Sequence, residues 1–165
     1  MTNLPLHTIS VLVANKPGVL VRIALVFARR GYNINSLVVS PTVNPKFSRM
    51  TITAKGDPET LEQIIKNVDK LIDTIHCGEH DVTNSVEKEL ALFKIKASAA
   101  AKTFVKKHSH QFNINIDDAS DSYLIIEQTG TTAEVDKFET FLKKYGLVEM
   151  VRTGKVLMAK GQEST

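Results

Sequence analysis

The chain has 165 residues, 42% of them hydrophobic and 24% charged, which is enough to bury a core and stay in solution, and its length allows one mid-sized domain or two small ones. The 21 basic and 18 acidic residues leave a formal charge of +3 and spread evenly, nine and seven of them before Thr83, so neither half has the basic face that a grip on nucleic acid requires. No run approaches the roughly 18 apolar residues that span a bilayer, Met1–Leu6 is expected to carry no signal peptide, and the single cysteine, Cys77, excludes an internal disulfide and fits a reducing cytoplasm.

His7–Ala14 alternates, with Ile9, Val11 and Val13 on one face, and reads as a half-buried strand. Asn15-Lys16-Pro17-Gly18 breaks it, and a helix is predicted from Val19 to Arg30. Leu20, Ile23, Ala24 and Phe27 form its apolar stripe, and Gly31 is its natural stop. Ile34–Ser40 and Ser48–Lys55 are predicted strands around a loop with two prolines. Asp57 is positioned to cap a second helix that has Pro58 in its first turn, with Leu61, Ile64, Ile65, Val68 and Leu71 or Ile72 on its apolar side. A fourth strand is expected over Ile72–Cys77.

Gly78–Ser85 is polar and aperiodic and reads as a linker. The order then repeats: strand Glu89–Ala97, helix Ala99–Lys107, strands Phe112–Asp117 and Tyr123–Thr129. Next comes a helix opened by the capping box Thr131 with Glu134 and stopped at Gly146. Strands Leu147–Arg152 and Val156–Ala159 close the chain. The fold class is therefore α+β, two ferredoxin-like βαββαβ units, with domains expected at 1–80 and 81–165. Units of this size have marginal cores, so packing against a second copy is expected.

The junction of the first strand and helix carries the clearest chemistry. Backbone N–H groups of Gly18, Val19 and Leu20 point out of a helix start, where the dipole favours an anion such as a carboxylate. Gly18 permits close approach to the backbone. Asn15 offers a donor and an acceptor, which suits a zwitterion, and Asn33 beside Ile34 adds a second amide next to an apolar residue. An amino acid with a small apolar side chain fits this chemistry. The same residues also make an ordinary turn and helix stop, and motif matches of this size are common.

Other groupings carry less. His76, Cys77, Glu79, His80 and Asp81 are potential metal ligands, but on a strand they alternate faces and do not converge. His108 and His110 have no third ligand nearby, and Cys77 with His76 lacks the orienting group of a nucleophile–base pair. No metal site and no catalytic residue is expected. An RNA-recognition unit shares the βαββαβ order but needs stacking aromatics on its central strands; here those strands carry Val38, Val39, Met50 and Ile52, with Tyr123 as an exception in the second half. Lys102, Lys106, Lys107, Lys143 and Lys144 read as a solvated helix face, or else as a surface for an acidic partner.

Val11–Leu20, followed by Phe27–Ile34, resembles an ACT domain. More narrowly, Gly31-Tyr32-Asn33-Ile34-Asn35-Ser36-Leu37 with Ser48-Arg49-Met50-Thr51-Ile52 is similar to the regulatory small subunit of acetohydroxyacid (acetolactate) synthase. The likeness continues through Leu61–Ile64, Lys70-Leu71, Val86–Leu92 and Val148–Gly154, and is weakest between Ser98 and Asp121.

The resemblance implies that the first domain is an ACT domain and that the chain is no catalyst by itself. It implies activation of a separate large subunit that carries thiamine diphosphate, FAD and magnesium, with no cofactor in this chain. It further implies feedback inhibition by a branched-chain amino acid, usually valine, in valine, leucine and isoleucine biosynthesis. The effector would sit between two ACT domains of a homodimer, on Asn15, Gly18 and Val19 of one copy and Asn33 and Ile34 of the other. The alternative is an amino-acid sensor of the ACT type acting on another enzyme or a transcription factor. In either case the partners expected are proteins and an amino acid, in the cytoplasm, with no nucleic acid and no membrane.

Overall fold

The computed structural model describes residues 4–162 and Thr165. The ends of the expected domain ranges at 1–3 and 163–164, and with them part of the signal-peptide reading, lie outside the described residues. The first half runs β1 (Leu6–Ala14), α1 (Val19–Arg29), β2 (Ile34–Pro41), β3 (Phe47–Lys55), α2 (Pro58–Asp69) and β4 (Thr74–His80). The second runs β5 (Ser85–Lys96), α3 (Ala99–Phe112), β6 (Ile114–Ala119), β7 (Tyr123–Gly130), α4 (Thr132–Leu142), one 3₁₀ turn at Lys143–Tyr145, and β8 (Leu147–Arg152), with β9 (Val156–Ala159) after it. The sheets are ordered β2-β3-β1-β4 and β6-β7-β5-β8. These are the two ferredoxin-like βαββαβ units expected.

In the first unit, α1 and α2 cover one face of the sheet. Ile9, Val11 and Val13 of β1 and Met50, Ile52 and Ala54 of β3 meet Val19, Ile23 and Phe27 of α1 and Leu61, Ile64 and Val68 of α2. The α1 stripe is thus Val19–Ile23–Phe27, spaced by four, whereas Leu20, expected within it, is 42% exposed. Ile72, expected near the α2 stripe, is fully outside it at 95% exposed, while Leu71 packs on the core. Asp57 caps α2 as expected, accepting from the Thr60 N–H at 2.8 Å.

Half of the expected linker at 78–85 is strand, residues 78–80 ending β4 and Ser85 opening β5. Its polar residues hid the periodicity because they pair within the sheet: Ser10 Oγ lies 3.1 Å from His80 Nε2, and His7 Nδ1 lies 2.6 Å from Glu79 Oε1. Only residues 81–84 turn. There the Asp81 carboxylate accepts from the Thr83 and Asn84 N–H groups, at 2.7 and 3.2 Å, as an Asx turn does. The chain divides into two compact units, one running to Glu87 and rejoined by the segment from Lys155, the other Lys88–Gly154. The expected ranges, 1–80 and 81–165, differ from this division at both edges. Lys155 explains the return, since its ammonium bonds Thr8 Oγ1 at 3.3 Å and Glu87 Oε2 at 2.6 Å. The Lys160 N–H donates to Asn84 O at 2.8 Å.

In the second unit, α3 extends to Phe112, five residues past the expected end. The polar run after Lys107 stays helical because His108 Nδ1 bonds Phe104 O at 2.9 Å and its ring lies on Phe104, centroids 4.4 Å apart. Phe112 then enters the core beside Phe138. The Thr131–Glu134 capping box opens α4 as expected. Glu89 is buried on β5, where Arg152 Nε and Nη2 reach it at 3.1 and 2.6 Å. The Thr132 hydroxyl also donates to it.

Candidate functional site

β1 ends at Ala14, which pairs with Phe47 of β3. Asn15 then clamps the loop between β2 and β3 twice: its N–H donates to Lys46 O at 2.7 Å and its Nδ2 to Pro45 O at 3.0 Å. The amide expected to supply a donor and an acceptor thus has one of its two donor hydrogens committed to Pro45 O, and Oδ1 is the atom it can offer a ligand's ammonium.

Gly18 is the N-cap of α1, at φ +83 and without a side-chain cap. That left-handed conformation suits glycine. Val19 N–H reaches back to Lys16 O at a long 3.5 Å, and the helical ladder begins with Arg22 N–H on Gly18 O at 3.1 Å. The N–H groups of Leu20 and Val21 lie inside the first turn, where no intrahelical acceptor exists. Val19's side chain is buried at 3% and its N–H turns back to Lys16 O, so Val19 anchors the helix, and of the expected donors Leu20 is joined by Val21 in place of Val19.

Two further residues shape this corner and carry no signal in local spacing. Arg22 Nη2 donates to Asp73 Oδ2. Asp73 lies just before β4, is buried, and its carbonyl accepts the Ala14 N–H at 2.8 Å. The other guanidinium arm, Nη1, lies 3.2 Å from where a Cβ on Gly18 would stand. Nothing in the sequence joins positions 22 and 73, which are brought together only by the fold. The first turn of α1 contains no acidic residue, so the corner is electropositive apart from Asp73.

Asn33 and Ile34 are positioned by the end of α1. Gly31 adopts φ +71, and Tyr32 N–H donates to Phe27 O at 3.1 Å. The Tyr32 ring lies on Gly56, where an added Cβ would fall 1.9 Å from Cζ, and its hydroxyl donates to Asp57 O. Tyr32 and Gly56 therefore hold the start of β2, a role that the sequence does not reveal. Asn33 is exposed and Ile34 is half-buried on the core.

The two groups of residues do not meet within one chain. Ala54 of β3 pairs with His7 on one side and with Ile34 on the other, while Ala14 pairs with Phe47. From His7 to Ala14 is seven residues, so Ile34 and Asn15 lie at opposite ends of the sheet, about 24 Å apart at 3.4 Å per residue.

The other groupings are spent on structure. Cys77 faces the core, where burial first and the charge of Asp69 second push its thiol up to about 12. His76 is exposed, while Glu79 and His80 serve His7 and Ser10. Asp81 caps its turn, and that bonding to Thr83 holds its pKa below the usual carboxylate value. Among the described residues no three His, Cys, Asp or Glu side chains gather as metal ligands would, and no helix is long and apolar enough to cross a membrane. The five lysines named above are all exposed, and Lys143 pairs with Glu139 at 2.7 Å.

Residues 9–76 match the AHAS small subunit-like ACT domain, and residues 88–161 match the family described as small subunit of acetolactate synthase. The chain is 44% identical over 157 residues to the probable acetolactate synthase small subunit of Archaeoglobus fulgidus, covering 95% of this chain and 98% of that one. The chain belongs to the acetolactate synthase small-subunit family. It is 38% identical over 156 residues to the acetolactate synthase isozyme 3 small subunit of Escherichia coli, covering 94% and 96%. The solved acetolactate synthase small subunit of Thermotoga maritima superposes with a TM-score of 0.86 at 37% identity, covering 96% of this chain and 99% of that one. Membership supports a regulatory-subunit role in branched-chain amino acid synthesis and implies a catalytic acetolactate synthase subunit as partner.

Proposed function

We propose that this small subunit activates its catalytic partner and makes it sensitive to a branched-chain amino acid, valine foremost, through a pocket shared by two copies of the ACT domain. The observation that carries this reading is the placement of Asn15–Val19 and Asn33–Ile34 at opposite ends of one sheet whose edge strand is β2. Two-fold pairing of β2 edges runs them antiparallel. The start of one β2 then meets the end of the other, which is the end that Asn15 clamps. The partner's Asn33–Ile34 corner thereby approaches the first copy's helix start, and each dimer has two equivalent pockets.

In such a pocket the effector's carboxylate meets the Leu20 and Val21 N–H groups at the positive end of α1. Its ammonium meets Asn15 Oδ1 and the Asn33 amide, and its side chain lies on Ile34. The effector shifts the subunit between states only by its difference in affinity for them; a pocket made from two copies supplies that difference, because it exists only when the copies are correctly docked. Thiamine diphosphate, FAD and magnesium chemistry is assigned to the catalytic subunit, none to this chain, and both subunits are placed in the cytoplasm.

Valine titration of the chain mixed with the catalytic subunit tests the proposal. The expected result is no acetolactate from this chain alone, more from the mixture than from the catalytic subunit, and a fall on adding valine. Activation without any valine response would refute the effector site. Capture of a different enzyme or a transcription factor as the strong partner would refute the pairing.

A further inference from the structure

We infer that Arg22 is the side chain that reads the effector's carboxylate, held in place for that role by Asp73. The inference rests on the proposed effector site and adds to it two residues from outside the turn. Arg22 sits one helical turn beyond Gly18 and leans back over it, as helical side chains do toward their N-terminal side. Its two arms face different ways. Nη2 donates to Asp73 Oδ2, and Nη1 rests beside Gly18, 3.2 Å from the position a Cβ would take. The Arg22 side chain is 45% exposed, whereas that of Asp73 is only 11% exposed.

Asp73 is itself fixed, since its carbonyl accepts the Ala14 N–H at 2.8 Å. One buried residue thus ties together the end of β1, the start of α1 and the start of β4. A free arginine would have to give up much rotamer freedom to meet a ligand; here Asp73 has already fixed the fork. A carboxylate seated over Gly18 meets a preset guanidinium arm as well as the open N–H groups of the first turn, and charge-assisted bonds of this kind are the strong ones. A side chain at position 18 would fill the space between Nη1 and the ligand.

Asp73 also predicts how the loss should appear. Removing Arg22 leaves a buried carboxylate unneutralised next to the incoming one, so the effector is repelled as well as less well bound. The Arg22→Ala/Asp73→Asn double variant should therefore bind the effector better than Arg22→Ala alone.

The test compares L-valine with L-valinamide, which lacks the carboxylate charge, by calorimetry on the full chain. Wild type should prefer valine by about thirty-fold or more, in line with a charge-assisted bond. In Arg22→Ala that preference should fall to within about three-fold, and Arg22→Lys, which keeps a cation beside Asp73 and so guards the fold, should lie between. Asp73→Asn should weaken valine while keeping most of the preference. An undiminished preference for valine in both Arg22 variants would overturn the role of Arg22 and leave the shared pocket standing. Wild type that binds neither compound would overturn the effector site, and the inference with it.

Discussion

Gly18→Asp tests the corner most sharply. The new residue must adopt φ +83, which costs a non-glycine residue on the order of 1–2 kcal/mol. Its Cβ would stand 3.2 Å from Arg22 Nη1, so the guanidinium must give by a few tenths of an ångström. The new carboxylate can then pair with it, regaining about 0.5–1 kcal/mol at a half-exposed site. The net loss of stability is about 1 kcal/mol, a few degrees in Tm for a unit of this size. The effect on the effector is larger. Two carboxylates about 4 Å apart repel by roughly 4 kcal/mol at an effective dielectric of 20, and after screening about a hundred-fold loss of affinity remains. Calorimetry with valine reads the affinity, and acetolactate formation by the reconstituted pair reads the response. Activation should persist while inhibition vanishes. A variant that is folded and binds valine as wild type does would refute the placement of the site.

Further outcomes are expected elsewhere. Asn33→Ala should weaken the effector by about 1–3 kcal/mol, the cost of leaving its polar groups unpaired, and unchanged inhibition would remove Asn33 from the site. Arg152→Ala, measured by denaturant unfolding, should cost about 3–5 kcal/mol because Glu89 is then a buried charge without its partner; a loss under about 1 kcal/mol would show that water reaches Glu89. Native Cys77 should resist a thiol reagent at pH 8 and react on unfolding, since burial lifts its pKa to about 12. The thiol form is favoured by folding, so its contribution is intact below about pH 9.0, the unfolded value, and is lost as pH rises toward 12.

Where each residue's neighbours in sequence are also its neighbours in space, the sequence was legible. The Thr131–Glu134 capping box and the Asp57 cap are local devices, and both appear in the structure; β1 is a strand as expected, but its burial runs unbroken from His7 to Val11 instead of alternating, because Thr8 and Ser10 are covered as well as Ile9 and Val11. Legibility failed where polar residues are satisfied at a distance. β4 runs to His80 because His7 and Ser10, some seventy residues away, take up Glu79 and His80, and a polar strand shows no apolar period. The same limit applies at the candidate site. Gly18 and Asn15 stand out as turn residues, but the Pro45 and Lys46 carbonyls that Asn15 holds, and the Asp73 that holds Arg22, are supplied by other segments. Leu20 was misplaced for a related reason: a helix stripe can be drawn at several phases, and only the sheet beneath α1 selects Val19, Ile23 and Phe27.

A pocket built from two copies should show itself most directly by complementation. Gly18→Asp chains and Asn33→Ala chains each spoil both pockets of their own homodimers. In a mixed dimer one pocket takes both defects and the other takes none. Calorimetry of an equal mixture, after subunit exchange, should recover wild-type valine affinity in about one site in four at random pairing. A mixture that binds no better than its two components would contradict the shared pocket.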